Sequence, residues 1–582
     1  MGTKTLQKMD ITSIKAVVVE LRKKIIPSRF EKAQQPEANT LQIGLRTIKE
    51  LIWIELSWDA YSARLVEIAP PPKTSGESTL AKQVNHGLNQ MALIDLKQKG
   101  FERVIEFHFG FRPKEKSHRS LILELMGRHS NFLMLNKEGK TITLGKQVRE
   151  YQSRLRPIST GDIYTPPPPL NGKEPNKDEC FEDWKERLSL IPISLKEALL
   201  MNYQGISPSL AIQLASDKKE TAEQIVNLSV KDLAQETWES IYKRWHAWLE
   251  VCDKESFCIC SEGPTAYRVW KEGNEKLAPS SALNISLFLG KYYRSHLEQK
   301  RFNKLFDEMN QRLIKERINE EKSLIKQKGL LTRVKESDEI QRKADSILSS
   351  HKPSKAIIKE AQLLYKKAKK IRRSESMLIE RVNFHQKKLA LIAESELFVH
   401  DIILNTCESN LEKIHAISEL KEELDKHLFS IDKNSSKPSY TKKINLVLEI
   451  ISPNGLSIQI GRNHRQNELI SIKNARKGDF WFHAQECPGG HVVIKASQGG
   501  GAEESDIQFC ADLAAYFSKA RHSKKVSITM VPIKQLQKLK GAIPGTVTHR
   551  GGKVLWGDPL NGKDHFERSR AKAQNALSSA TS

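Results

Sequence analysis

At 582 residues the chain has room for roughly three to five domains with cores of their own, and it carries 94 Lys and Arg against 70 Asp and Glu, a net charge of +24. An excess of that size, spread over the whole length, points to a polyanion as partner, with nucleic acid ahead of an anionic membrane surface. No stretch approaches the about 18 consecutive apolar residues of a bilayer span, and Met1-Gly2-Thr3-Lys4-Thr5-Leu6-Gln7-Lys8 lacks the apolar core and cleavage site of a signal peptide, so a cytoplasmic protein with no membrane partner is expected.

Helical segments are predicted over Thr12–Lys24 and Ala81–Lys97. Between and after them, short alternating runs at Thr40–Arg46, Leu51–Trp58, Ala63–Ile68, Glu102–Phe109, Ser120–Gly127, Asn131–Leu135 and Thr141–Lys146 read as antiparallel strands. The run Thr165-Pro166-Pro167-Pro168-Pro169-Leu170-Asn171-Gly172 continues neither element and reads as a linker. Two short helices then flank Gly205-Ile206-Ser207-Pro208, much like a helix-hairpin-helix. Such a turn either offers backbone N–H groups to a phosphate or is a plain helical spacer, and both readings stay open. Cys252, Cys258 and Cys260 cluster without C-x2-C spacing or a second pair, so no metal is expected, and no cofactor either.

From Ser281 to Lys437 there is one proline, Pro353, and Phe302, Phe306, Met309, Leu313 and later Ile417, Leu420, Leu424, Ile431 recur at spacings of three and four and related multiples. This pattern predicts an antiparallel coiled-coil hairpin turning near Ser349–Lys355, with arms of roughly 60 residues reaching on the order of 90 Å. Asp432–Lys442 reads as a linker. Strands follow at Ile444–Ile450, Leu456–Ile460, His491–Lys495, Val526–Met530 and Val554–Trp556, with a helix at Ser505–Ala520 and a disordered basic tail after Gly557.

Three side-chain groupings carry recognition chemistry. Phe101, Arg103, Ile105, Phe107 and Phe109 share one strand face, and an arginine on an apolar face needs a phosphate or a carboxylate such as Glu124. The turn Gly127–Asn131 brings Arg128, His129, Ser130 and Asn131 to one loop, as a phosphate site or simply a polar turn. Lys366, Lys367, Lys369, Lys370, Arg372 and Arg373 crowd one helical stretch with no acid among them, which favours a phosphate backbone over a solvated face. The densest signature is Gly461-Arg462-Asn463-His464-Arg465-Gln466-Asn467-Glu468, followed by Asp479-Phe480-Trp481-Phe482-His483 and Pro488-Gly489-Gly490-His491. It holds arginine, amide, imidazole and aromatic groups without a nucleophile–base pair, the vocabulary of RNA recognition. Trp481 and His483 share a strand face with Asp479, so Trp481 is either core or an exposed platform for a base.

Glu124–Asn131, together with Gly461–Asn467 and Asp479–Ile494, resembles the signature of the NFACT family, whose E-[IL]-M-G-[KR]-H-S-N motif the first segment matches. The resemblance runs from about Met9 to Gly557. It implies a multidomain α+β architecture: a mainly antiparallel β NFACT-N domain at 9–170, a helix-hairpin-helix domain at 178–265, the coiled coil with a small middle helical module at 281–437, the α+β NFACT-R domain at 443–557, and the basic tail at 558–582. It further implies no catalysis of its own. The partners would be a large ribosomal subunit with peptidyl-tRNA and a tRNA, tRNA-Ala in bacteria, bound by a monomer that directs template-free alanine tailing. On that likeness Glu102, Arg103, Glu124, Leu125, Met126, Arg128, His129, Ser130 and Asn131 would meet tRNA. The six-cation helix and Arg462, Asn463, His464, Gln466, Asn467, Asp479, Trp481, His483 and His491 would meet rRNA. Glu102 stands where the family has Asp, Gly490 where it has Ser and His464 where it often has Asn. A fibronectin-binding surface adhesin is the alternative from another class. Base excision is not expected, because the similar N-terminal domain of formamidopyrimidine-DNA glycosylases needs an N-terminal proline where this chain reads Met1-Gly2-Thr3, and the sequence shows no zinc finger.

Overall fold

The computed structural model describes residues 6–74, 78–112, 115–169, 171–260, 263–272, 284–349, 354–404, 409–428, 447–498, 501–539 and 544–580. The predicted linker Asp432–Lys442, Pro353 and Ile431 lie outside them. The chain divides into two compact units, Met1–Leu297 and Glu298–Ser582. Among the described residues no helix is long and apolar enough to cross a membrane.

The first unit opens with α1 (Ile11–Ile25), whose start is fixed by Asp10 accepting from the Ser13 N–H at 2.9 Å and whose last turn carries Arg22, Lys23 and Lys24. Ile11, Ile14, Val17, Val18, Leu21 and Ile25 form its buried stripe. Then come β1 (Ser28–Glu37), β2 (Thr40–Arg46), β3 (Leu51–Ser57), β4 (Arg64–Ile68), α2 (Thr79–Gly87), β5 (Ala92–Gln98), β6 (Val104–Gly110), β7 (Arg119–Glu124), β8 (Asn131–Leu135) and β9 (Thr141–Leu144). They build one antiparallel nine-stranded sheet in the order β4-β3-β2-β1-β5-β6-β7-β8-β9.

One expectation fails here, and one strand had no prediction. The helix predicted over Ala81–Lys97 ends at Gly87; Gln90 takes φ +62°, and Ala92–Gln98 becomes β5, bridging β1 and β6. Apolar spacings of three and four in that stretch imitate a helix, and only the sheet partners decide otherwise. Strand β1 is too polar to read as a strand. It is held partly by a cross-strand ladder in which Gln34 donates to Gln42 (2.9 Å), Gln42 to Glu55 (2.8 Å), and Arg64 pairs with Glu55 (2.7 Å).

The helices α3 (Phe181–Ser189), α4 (Leu195–Asn202), α5 (Pro208–Ala215), α6 (Lys219–Asn227) and α7 (Gln235–Asp253) follow. Trp184, Trp238, Trp245 and Trp248 from this group are buried in the same apolar cluster as α1 and the sheet. The segments assigned from sequence to two domains therefore share one core. The first turns of α8 (Ile285–Leu348) are rooted in it: Glu20 accepts from the Ile285 N–H at 2.6 Å, Ile285, Leu289 and Tyr293 are buried, and a Cβ on Gly290 would collide with the Glu67 carbonyl.

In the second unit α8 continues and is answered by α9 (Lys355–Arg373), α10 (Glu375–Leu404) and α11 (Asn410–His427). The predicted stripe is buried: Phe302 packs with Ile402, Ile414 and Ile417, and Met309 and Leu313 pack with Leu391, Phe398, Leu420 and Leu424. The base of the arm is thus three helices thick, where a two-helix hairpin was expected. Arg312 reaches Asp425 on α11 at 2.7 Å, while Arg317 reaches Glu396 on α10 at 3.1 Å.

The C-terminal domain comprises β10 (Leu448–Ile451), β11 (Ser457–Ile460), α12 (His464–Glu468), β12 (Phe480–Ala484), β13 (Val492–Ile494), α13 (Glu504–Tyr516), β14 (Val526–Pro532), β15 (Leu536–Lys538), β16 (Val547–His549), β17 (Lys553–Gly557) and α14 (Pro559–Ala580). Six strands form an antiparallel sheet ordered β10-β11-β13-β12-β14-β17, with β15 and β16 as a separate hairpin. The segment expected as a disordered tail is the helix α14. It packs on α13 through Phe566, which is buried, and His565, stacked on Phe509 at 4.3 Å; a Cβ on Gly562 would strike the Asp512 carbonyl.

Candidate nucleic-acid interface

At the N-terminal end of β6 the register pairs Val104 with Glu124, and the Leu125 N–H donates to the Arg103 carbonyl at 2.9 Å. Glu102 and Arg103 precede the strand rather than belonging to it, and both are half-buried. The carboxylate first considered for Arg103 is occupied. Glu124, with no exposure, is held by Arg156 through both oxygens (2.5 and 3.0 Å) and by the Tyr164 hydroxyl at 3.0 Å. Burial would depress the Arg156 pKa, but its bonds to Glu124 outweigh that and raise it. Arg103 makes no side-chain hydrogen bond or ion pair with any described residue; burial lowers its pKa, opposed only by the more distant charges of Asp10 and Glu102.

The adjoining loop is narrower in chemistry than its sequence. Gly127, at φ +58°, opens a single 3-10 turn to His129. Ser130 turns inward to accept from the Met126 N–H at 2.8 Å, and Asn131 exchanges bonds with the Lys146 backbone at 2.8 and 2.9 Å. Glu124, Leu125, Ser130 and Asn131 are buried and shape the loop, Met126 is half-buried, and Arg128 and His129 stand outward on it. At the helix-hairpin-helix turn, Ser207 caps α5 and donates to Asp10 at 3.0 Å, so that turn leans on the α1 cap near Arg103's counter-charge.

On α9, Lys366, Lys367, Lys369, Lys370, Arg372 and Arg373 line the outward side, while Ala361 and Ala368 face inward. Arg372 pairs with Asp338 of α8 at 2.5 Å, and the Tyr365 hydroxyl bonds Asp345. A cleft of about 510 Å³ lies there, lined by Gln341, Tyr365, Ala368, Lys369, Arg372 and Arg373.

The Arg462–Asn467 signature takes an unexpected position. Asn463 caps α12, accepting from the Gln466 N–H at 2.8 Å; the Gln466 side-chain carbonyl oxygen accepts from the Arg462 N–H at 3.1 Å, and Asn467 accepts from the His491 N–H at 3.1 Å. The outward side chains lie against α10 and α11. His464 is 3.4 Å from Glu394 and edge-on to Phe398, Asn463 and Gln466 reach Glu419 at 3.5 and 3.4 Å, Arg465 faces Glu422, and Arg521 is ion-paired with Asp401. Arg462, Asn463, His464, Gln466 and Asn467 are each at most 9% exposed. Burial raises the acids opposite them: Glu394 and Glu423 to about 7, Asp401 to about 6, and Glu419 in the same direction.

Trp481, considered as an exposed platform, is 4% exposed and packs with Ile470, Val493 and Val531. It lies parallel to His483 with centroids 5.5 Å apart, and His491 meets it edge-on. His491 contacts the Ser471 hydroxyl at 2.8 Å, and burial lowers both His483 and His491. Asp479 accepts from the Arg476 and Ser497 N–H groups at 2.9 and 3.1 Å and sits 3.5 Å from Lys495, a scaffold role. Gly490 lies where a Cβ would stand 2.5 Å from the Gly461 carbonyl, which accounts for glycine at this position. Sequence reasoning missed Arg156, Tyr164, Asp401 and Arg521, whose partners lie tens of residues away with no local signal.

A basic chain with a half-buried arginine that no described residue pairs, a cationic helix and a mixed α+β C-terminal domain has the make-up of an RNA-binding protein of several modules. The chain belongs to the NFACT family: the model of the NFACT N-terminal and middle domains matches residues 10–353, and that of the NFACT protein RNA binding domain matches 446–551. It is similar to the Rqc2 homolog RqcH of Streptococcus pneumoniae serotype 2 strain D39, 26% identical over 570 residues (93% of this chain, 96% of that one), and to the Rqc2 homolog RqcH of Bacillus subtilis strain 168, 24% identical over 580 residues (93% and 96%). A solved structure, the C-terminal part of the fibronectin/fibrinogen-binding protein of Streptococcus suis, is 28% identical with a TM-score of 0.38, covering 46% of this chain and 98% of that one. The chain is therefore an RNA-binding NFACT protein of the RqcH type.

Proposed function

We propose that the protein is a ribosome quality-control factor. It binds large ribosomal subunits obstructed by peptidyl-tRNA, recruits tRNA-Ala, and promotes template-free alanine tailing of the stalled chain, marking it for degradation. The bond-forming chemistry belongs to the ribosome's peptidyl-transferase centre; this chain binds and positions. Arg103 is the observation that carries this reading. A guanidinium that bears a burial cost, feels the charges of Asp10 and Glu102, and forms no side-chain hydrogen bond or ion pair with any described residue is poised for a partner outside the chain. Its planar fork suits a phosphate or a base edge, and Arg128 and His129 stand on the loop that follows its paired strand. The cations of α9 supply the phosphate-backbone contact expected for rRNA.

The test uses full-length Arg103→Lys and Arg103→Ala. Both should melt like the unsubstituted protein and co-sediment with large subunits, while the co-purified tRNA is lost, because lysine keeps the charge but not the bidentate geometry. Retained tRNA with a lowered melting temperature would make Arg103 a structural residue and remove the basis of the proposal.

A further inference from the structure

The sheet of the C-terminal domain has an inner and an outer face. Ile528, Met530, Phe482, Ala484 and Leu555 point inward and pack on α13. The outer face is covered over Trp481, Val493 and Val531 by Ile470 and by Leu536 and Val547 of the β15–β16 hairpin. That cover stops short of the β14–β17 end. There the register sets Val554 beside Thr529 and His483, and Trp556 beside Ser527, whose carbonyl accepts from the Gln485 N–H at 2.9 Å. Val554 is 56% and Trp556 61% exposed, Ser527 and His483 are half-buried, and Gln485 and His549 are exposed.

A tryptophan on an edge strand, with most of its surface in water and no ring partner among the described residues, is costly to leave uncovered. Its backbone is nevertheless fixed, since the Trp556 carbonyl accepts from Gln508 at 2.9 Å. The two rows contain two hydroxyls, an amide and an imidazole but no carboxylate, and Lys524 and Lys525 stand exposed at the start of β14, with Lys525 on the same face as Ser527. Over residues 447–557 there are fifteen Lys and Arg against eight Asp and Glu. One aromatic ring among polar groups and cations fits a stacked base and its phosphate better than an apolar protein surface.

We propose that this ledge binds single-stranded RNA, with Trp556 as the stacking platform, Ser527 and Gln485 as donors and acceptors at the base edge, and Lys525 on the phosphates. The proposal rests on the domain's RNA binding and names where it happens: the exposed tryptophan is Trp556, outside the signature, and not Trp481 within it.

The test is titration of full-length Trp556→Ala and Trp556→Phe with a polyuridine RNA of about 12 nucleotides, alongside crosslink mapping with its 5-bromouridine form. Alanine should weaken binding by roughly 5- to 100-fold, matching one lost stack; phenylalanine should recover most of it, and the salt dependence should be unchanged because no charge is removed. The crosslink should fall within 549–557. Melting should not move, since the ring is largely in solvent. Unchanged affinity and a crosslink elsewhere, in a chain whose unsubstituted form binds the RNA, would overturn the ledge alone. Failure of the unsubstituted chain to bind would overturn the RNA reading beneath it as well. Normal RNA binding with lost co-sedimentation on large subunits would assign the ledge to a ribosomal protein and overturn the proposal.

Discussion

Glu423 lies on α11 facing α12, 1% exposed, with Arg465 as its nearest cation and Glu419 as a repelling neighbour. Burial lifts its carboxyl from 4.5 to about 7. The unfolded chain therefore ionises this group near pH 4.5, while the folded chain holds the proton until about 7. Stability from this site is full below pH 4.5, falls as pH rises through that window, and is lost above 7. Replacing the carboxyl by an amide removes the titration and keeps the shape. Glu423→Gln should thus stabilise α11 by about 1 kcal/mol at pH 5.5 and about 3 kcal/mol at pH 8, at 1.36 kcal/mol per pH unit. Hydrogen exchange of the α11 amides in the full chain, corrected for intrinsic rates, reads the difference locally. A gain independent of pH, or weaker protection of the variant at pH 8, would refute the reasoning.

Reversing Lys366, Lys367, Lys369 and Lys370 to Glu should weaken large-subunit binding without melting the arm, and the slope of log affinity against log salt should shrink by about 0.7–0.9 for each phosphate no longer neutralised; a parallel shift would mean an indirect effect. Arg156→Met strands the buried Glu124 carboxylate and should destabilise the N-terminal unit by about 3–5 kcal/mol, seen as a lower melting temperature; an unchanged melt would show that Tyr164 alone suffices.

Periodicity made most of the sheet, α1, the arm and the RNA-binding domain legible, because in those stretches one face is buried and the pattern repeats. It failed at β5, where apolar residues spaced by three and four sit in a bulged strand, and at β1, whose polar residues are satisfied by a ladder visible only once the strands are paired. It failed again at α14, where small and polar residues form a helix because Phe566 and His565 find partners on α13. At the interface, residue types were readable but exposure was not. Arg462 through Asn467 could not be known to face Glu394, Glu419 and Glu422, because those acids belong to helices whose own apolar stripe is taken up by α8. Arg103 was legible as an arginine needing a partner; that Glu124 was already taken depended on Arg156, 32 residues further on.

The third helix at the base of the arm has a mechanical consequence. Up to Leu313, α8 is braced on two sides by α10 and α11; from Arg317 onward its ion pairs among the described residues go to the returning limb of the hairpin alone, through Glu396, His385, Lys388 and then Arg372. Bending stiffness rises steeply with the width of a beam, so the base acts as the clamp of a cantilever and the compliance is concentrated in the thinner stretch beyond it. Deflection at the free end grows with the cube of the unbraced length. The cations at 366–373 ride near that end, so they can sweep an arc across an uneven polyanionic surface while the clamped base and the domain docked on it hold still.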